Sequence, residues 1–168
     1  MANRNMQKII MPIMKFVNMR GIIALKDGML AILPLTVVGS LFLIAGQIPF
    51  QGVNDAIAGV FGADWTEPFM QVYQGTFAIM GLISCFAIGY SYAKNSGVEP
   101  LPSGVLSLSA FFILLRSSYV PAEGEAIGDA ISKAWFGGQG IIGAILIGLT
   151  VGAIYTAFIR RHIVINCL

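Results

Sequence analysis

The sequence predicts an all-α, polytopic transmembrane helical bundle of about four spans, preceded by an N-terminal amphipathic helix in the membrane interface. Three observations predict it. The 168 residues are 57% hydrophobic and only 11% charged, against about 45–50% and about 25% in soluble domains. The charges cluster between four apolar blocks, and none of those blocks contains Asp, Glu, Lys, Arg or His. The first block, residues 28–46, runs nineteen residues without a charge. As a helix it rises about 28 Å, close to the hydrocarbon thickness of a bilayer. It exceeds the apolar region of about 7–15 residues found in a cleaved signal peptide.

Residues 4–20 place Met6, Ile9, Ile10, Ile13 and Val17 at helical spacing, with Arg4, Lys8 and Lys15 on the other side. That pattern suits a helix lying flat, apolar face down, among anionic headgroups. Pro12 limits its length, because proline removes a backbone donor and kinks the axis. The domain reading is an interfacial segment over 1–24, a transmembrane part over 25–161 and a tail over 162–168.

The first span carries Pro34, with Thr36 and Ser40 near enough to satisfy the freed carbonyl. Residues 47–68 read as a polar connection holding Asp55, Asp64 and Glu67 but no Lys or Arg. Trp65 and Phe69 stand where interfacial aromatic anchors belong. The second span covers about 69–92. Its Gly81, Cys85 and Gly89 recur every four residues, a small-residue face that lets another helix approach.

In the next connection, Gly97 is placed to close the second span and Pro100 to open the third. Glu99 then favours a helix N-terminus through its charge, a capping role rather than a catalytic one. The third block, 101–115, is short, either a span extended by its flanks or a re-entrant segment. Its Ser103, Ser107 and Ser109 can bond back to their own helix or across to a neighbour. Residues 116–137 are polar and glycine-rich, and Trp135 and Phe136 lead into the fourth span, about 138–159. There Gly140, Ala144, Gly148 and Gly152 form a small-residue stripe continued by Thr156. Such a stripe is a packing face, and its partner helix is open: the same chain or a second subunit. Arg160, Arg161 and His162 end the span.

Eight of the ten cations fall before span one, between spans two and three, or after span four. An even number of spans with both termini cytoplasmic fits that asymmetry. A net charge of +2 without a basic run excludes nucleic acid as a partner and leaves membrane lipid. Cys85 sits inside an apolar block and Cys167 at the extreme end, so they form neither a disulfide framework nor a metal site. No phosphate loop, HExxH helix or GxSxG elbow appears. The residues therefore supply no catalytic group, no metal site and no cofactor site. Gln71, Tyr73 and Gln74 are candidates to face an aqueous cavity.

The stretches LKDGMLAILPLTVVGSLFLI at 25–44, YAKNSGVEPLPSGVLSLSAFF at 92–112 and WFGGQGIIGAILIGLTVGAIYTAFIRR at 135–161, in that order and spacing, carry a resemblance. The chain is similar, from about residue 6 to 165, to the membrane permease (IIC) component of the bacterial sugar phosphotransferase system, in the lactose/cellobiose/diacetylchitobiose class. The resemblance implies a dimeric, multi-pass inner-membrane protein that carries a sugar inward while IIB and IIA partners supply the phosphoryl group. It implies no enzyme activity of its own, since the phosphorylated cysteine belongs to IIB. Such permeases continue into a second helical half whose His and Glu hold the sugar. Here Ile165 is followed by Asn166, Cys167 and Leu168. The expectation is a truncated N-terminal scaffold, with sugar-binding residues unknown in this stretch and no transport alone. The other reading is a membrane oligomerisation module that pairs with a separate second half.

Overall fold

The computed structural model describes residues 19–48, 50–62, 64–115, 118–119, 127–128, 131 and 133–161. The amphipathic face expected over 4–17, the tail after Arg161 with His162 and Cys167, and the acidic side chains of 123–129 lie outside the described residues.

Among the described residues six α-helices carry the fold: α1 (Arg20–Gly46), α2 (Gln51–Phe61), α3 (Glu67–Gly75), α4 (Met80–Asn95), α5 (Pro100–Leu114) and α6 (Ile141–Arg160). Helix is the expected form, because a lipid interior offers no partner to an unbonded backbone group. Among the described residues three helical stretches are long and apolar enough to cross a membrane: Arg20–Gly46, Glu67–Asn95 and Gly138–Arg160. The fold is thus an all-α membrane bundle. The fifteen residues of α5 are apolar but rise only about 22 Å.

Several boundaries differ from the sequence expectation. α1 already begins at Arg20, eight residues before the first apolar run. The stretch 47–68 is not merely a connection, since it holds the eleven-residue α2. Val53, Ile57, Val60 and Phe61 recur there at helical spacing, and Val53, Val60 and Phe61 are exposed. The second span is two helices joined by a short 3-10 turn, Phe77–Ile79. Thr76, just before it, turns its hydroxyl to Val72 O at 2.6 Å. Between α5 and α6 the described residues contain a two-residue antiparallel ladder, β1 (Ser118–Tyr119) with β2 (Ile127–Gly128), pairing Ser118 with Gly128 and Tyr119 with Ile127. Two 3-10 turns, Lys133–Phe136 and Gly138–Gly140, lead into α6.

Local signals account for the helix ends. Gly62 at φ 94° stops α2, and its N–H bonds to Ala58 O. Gly97 at φ 74° stops α4, with the Val98 N–H reaching back to Ala93 O at 3.2 Å. Left-handed φ suits glycine because it has no β-carbon. Pro100 is the first residue of α5, where its missing N–H removes no helical bond. Pro34 sits within an α1 that runs unbroken for 27 residues. Thr36 and Ser40 do not serve the carbonyl it frees, however. Their hydroxyls donate to Leu33 O and Val37 O, each three residues back.

The chain forms two compact units. One holds the described residues of Met1–Ala31, Ser84–Leu114 and Ile142–Leu168. The other holds those of Ile32–Ile83 and Leu115–Ile141.

Candidate functional site

In the first unit three helices close on α4 through side chains small enough to disappear. Gly148 and Gly152 of α6 face it directly. A β-carbon built on Gly148 would stand 2.9 Å from Cys85 O and 3.1 Å from Ile88 Cβ; one on Gly152 would stand 2.8 Å from Tyr92 Cβ. Ala144, on the same stripe, is fully buried, and Thr156 is 4% exposed with no hydrogen-bond partner for its hydroxyl among the described residues. The partner of the α6 stripe is therefore a helix of the same chain.

Gly89 looks the other way from α4, toward α5. An added β-carbon would meet Ser107 Cβ at 2.8 Å and Ser103 O at 3.1 Å. That closeness lets Ser103 Oγ donate to Gly89 O at 2.8 Å, while Ser107 Oγ donates to Ser103 O and Cys85 Sγ donates to Ser107 O at 3.2 Å. Ser109 bonds back to Val105 O. The serines of α5 thus use both options, one crossing to α4 and two staying home. Cys85 is free, buried and occupied in packing. Gly104 of α5 receives the ring of Phe86, whose Cε2 would be 2.7 Å from an added β-carbon.

One packing residue of this unit carries no spacing-of-four signal. Gly28 of α1 lies against Ile88 of α4. The clue is the distance between α1 glycines. Gly21, Gly28, Gly39 and Gly46 are separated by 7, 11 and 7 residues, close to about two, three and two helical turns.

Polar groups gather at one end of the same unit. Asn95 Nδ2 donates to Asp27 Oδ2 at 2.9 Å, and Arg160 Nη2 donates to Ser96 O at 2.6 Å. Lys26 approaches Asp27 at 3.4 Å. The start of α1 and the ends of α4 and α6 therefore share one polar boundary.

In the second unit, Gly81 and Gly140 serve close backbone approaches. A β-carbon on Gly81 would stand 2.7 Å from Phe136 O and 2.8 Å from Gly137 O, and one on Gly140 would overlap the Trp135 carbonyl. Gly39 and Gly46 receive Phe77 and Phe69 respectively. Beside them lies a cavity of about 600 Å³ bounded by Tyr73, Gln74, Phe77, Lys133, Gly137 and Gln139 among others. Tyr73 and Gln74 line it as their polarity suggested, and Gln71 does not. Lys133 Nζ donates to Gln74 Oε1 at 2.7 Å, and the Tyr73 and Phe77 rings stack with centroids 5.7 Å apart. A second cavity, about 530 Å³, is apolar apart from Asp64 and lies between Ile57, Phe61, Trp65, Pro68 and Phe69.

The arrangement offers packing faces and a polar cavity. The family model of the phosphotransferase system EIIC matches residues 26–166. This chain belongs to the phosphotransferase system EIIC family. Among EIIC relatives, the lichenan permease IIC component of Bacillus subtilis (strain 168) is 34% identical, covering 97% of this chain and 37% of the relative. The cellobiose-specific EIIC component of Geobacillus stearothermophilus is 33% identical, with 97% and 38% covered. The crystal structure of ChbC, the IIC component of the N,N'-diacetylchitobiose-specific phosphotransferase system, superposes with a TM-score of 0.87 at 29% identity, covering 96% of this chain and 39% of ChbC. The chain thus spans less than two-fifths of the length of these EIIC relatives. It is a multi-pass membrane protein.

Proposed function

We propose that this chain is the N-terminal scaffold of a IIC sugar permease. The sugar is a β-linked disaccharide of the cellobiose, lactose or diacetylchitobiose kind, carried across a bacterial inner membrane. The superposition on ChbC carries this reading, since it holds over 96% of the chain. The sugars for which the relatives are named, lichenan and cellobiose, support the β-linked class.

In this reading the chain is no enzyme. IIB and IIA partners perform phosphoryl transfer, and the permease works as a homodimer among membrane lipids. Both termini face the cytoplasm. The cation count supports that orientation, and so does the shared polar boundary that holds Lys26, Asp27, Asn95 and Arg160. Cys85, Gly89, Ala144, Gly148 and Gly152 serve helix packing within the chain, whereas Gly81 and Gly140, expected on the same stripes, meet the backbone of residues 135–137 instead.

The test is uptake of radiolabelled cellobiose in cells lacking their own cellobiose permease. The chain alone is expected to give none. Co-expression with the remaining portion of the Bacillus subtilis lichenan permease is expected to restore it. Sugar-dependent uptake by the chain alone, or none with the second portion properly inserted, overturns the scaffold reading.

A further inference from the structure

We infer that the cavity of about 530 Å³ between α2 and the start of α3 holds one phospholipid with an ethanolamine headgroup. An acyl chain lies among Ile57, Phe61, Trp65 and Phe69, and the headgroup ammonium meets the Asp64 carboxylate. Such a site goes beyond the permease reading and needs only that the chain sits in a membrane.

The cavity stands where headgroups and acyl chains meet. α2 has eleven residues and rises about 16 Å, far short of a span. It nonetheless exposes Val53, Val60 and Phe61, while Asp55 falls on the opposite side of the helix. An apolar face exposed on so short a helix belongs in the plane of the interface. Three contacts fix this region to the end of α1, a helix long enough to cross. Asn54 Nδ2 donates to Ile48 O at 2.9 Å. The Phe69 ring lies 6.0 Å from that of Phe42, and a β-carbon on Gly46 would stand 3.2 Å from Phe69 Cβ.

Its lining has the two parts that a lipid has. Ile57, Phe61, Pro68 and Phe69 supply apolar surface, and Trp65 meets Phe69 edge-on with centroids 5.9 Å apart. The volume falls within the span of about 300–1,000 Å³ typical of small-molecule sites. Phe61 is 78% exposed at the rim, so an acyl chain laid against it removes apolar surface from water. Trp65 adds a ring of the amphipathic kind that settles at headgroup level.

Charge selects the headgroup. Asp64 belongs to the lining and is exposed. Asp55 and Glu67 stand on the helices to either side of it. These carboxylates repel anionic phosphatidylglycerol and cardiolipin. An ethanolamine ammonium brings the opposite charge, and its N–H groups donate to a carboxylate in charge-assisted bonds. A choline headgroup brings the same charge without a donor. Phosphatidylethanolamine therefore fits both parts of the site.

Fluorescence of Trp65 tests the site. The whole chain, carrying Trp135→Phe so that Trp65 is its one indole, is reconstituted in phosphatidylcholine vesicles. Phosphatidylethanolamine or phosphatidylglycerol, brominated near the glycerol end of the acyl chain, is added in graded amounts. Phosphatidylethanolamine is expected to quench Trp65 at about threefold to fivefold lower content than phosphatidylglycerol, the discrimination that an exposed charge pair supports. Asp64→Asn is expected to cut that preference at least in half. Its side chain is exposed, so the fold persists, and circular dichroism checks that. Ile57→Phe narrows the cavity and leaves the charges alone. It is expected to weaken quenching by phosphatidylethanolamine, which a headgroup held only at the surface would not show. Equal quenching by the two lipids overturns the inference. So does a preference that Asp64→Asn leaves undiminished, or quenching that Ile57→Phe leaves unchanged. Quenching by neither lipid overturns it as well, since a second copy or another protein segment then covers the cavity. Sugar uptake tests the permease reading separately, and none of these outcomes alters it.

Discussion

Gly28 lies so close to Ile88 that a β-carbon added to it would stand 2.6 Å from Ile88 Cγ1 and 2.9 Å from the Ile88 Cα and backbone nitrogen. Two helix backbones meet there with a single isoleucine between them. Backbone cannot move aside as a flexible side chain can. Gly28→Ala is therefore expected to lower the thermal unfolding midpoint of the purified chain, at a cost of about 1–3 kcal/mol for overpacking. Gly143 of α6 is the internal control, because nothing lies within 4 Å of a β-carbon there. Gly143→Ala should raise the midpoint slightly, by the helix preference of alanine, about 0.5–1 kcal/mol. Circular dichroism melts of the two variants in one detergent decide it. Equal midpoints for both would contradict the close approach.

The α6 stripe yields a different expectation. Gly148 and Gly152 face Cys85, Ile88 and Tyr92 of their own chain. Gly148→Leu and Gly152→Leu should therefore unfold or loosen the monomer, seen as a lower midpoint and earlier proteolysis. If the stripe were a subunit interface, the same changes would alter oligomer size and spare the monomer. Size-exclusion chromatography with light scattering, run beside the melts, separates the two outcomes.

Much of this was readable from residue spacing, and the failures have physical causes. Long charge-free runs placed α1 and α6, because a bilayer demands length and apolarity together. A spacing of four picked out Gly81, Cys85, Gly89, Gly148 and Gly152, since helical side chains four apart share a face. It missed Gly28 and Gly39, whose neighbours on the same face are two or three turns away. The acids and glycines of 47–68 hid α2, although Val53, Ile57, Val60 and Phe61 carried its period. The 3-10 break at Phe77–Ile79 has no proline or charge to announce it. The cavity joins residues nearly sixty positions apart, Gln74 and Lys133, and single-chain spacing does not report such a pairing.

Buried hydroxyls in the first unit should respond in opposite directions. Ser103 is fully buried and donates across helices to Gly89 O. Interhelical bonds of this type average about 0.6 kcal/mol in membrane proteins. Ser103→Ala should lower the midpoint by a correspondingly small amount. Thr156 is 4% exposed, and no partner for its hydroxyl is found among the described residues. Thr156→Val keeps the shape and removes an unpaired polar group, so it should raise the midpoint. A fall for Thr156→Val would mean that its hydroxyl has a bond in the membrane.

The ion pair of Lys26 and Asp27 makes a weaker case than its neighbours. Its atoms are 3.4 Å apart, and the two side chains are 65% and 37% exposed. Exposed pairs contribute about 0–1 kcal/mol. Lys26→Gln should leave the melt unchanged. Asn95→Leu should lower the midpoint, because it removes the bond from Asn95 Nδ2 to Asp27 Oδ2, which ties the end of α4 to α1. A melt more sensitive to Lys26 than to Asn95 would reverse this ranking.

Orientation is testable by cysteine labelling in a background of Cys85→Ala and Cys167→Ser. Lys94 stands at the polar end of α4, one residue before Asn95, while Asp55 stands on α2, after the far end of α1. Both side chains are exposed. If α1, long and apolar enough to span, crosses the bilayer, Lys94→Cys and Asp55→Cys are expected on opposite faces. With cytoplasmic termini, a membrane-impermeant maleimide should label Asp55→Cys in intact cells. It should reach Lys94→Cys only after permeabilisation. The reverse pattern would place the cation-rich end outside, against the usual cytoplasmic excess of Lys and Arg. Equal labelling of both in intact cells would mean that α1 does not cross the bilayer, and the permease reading would fall with it.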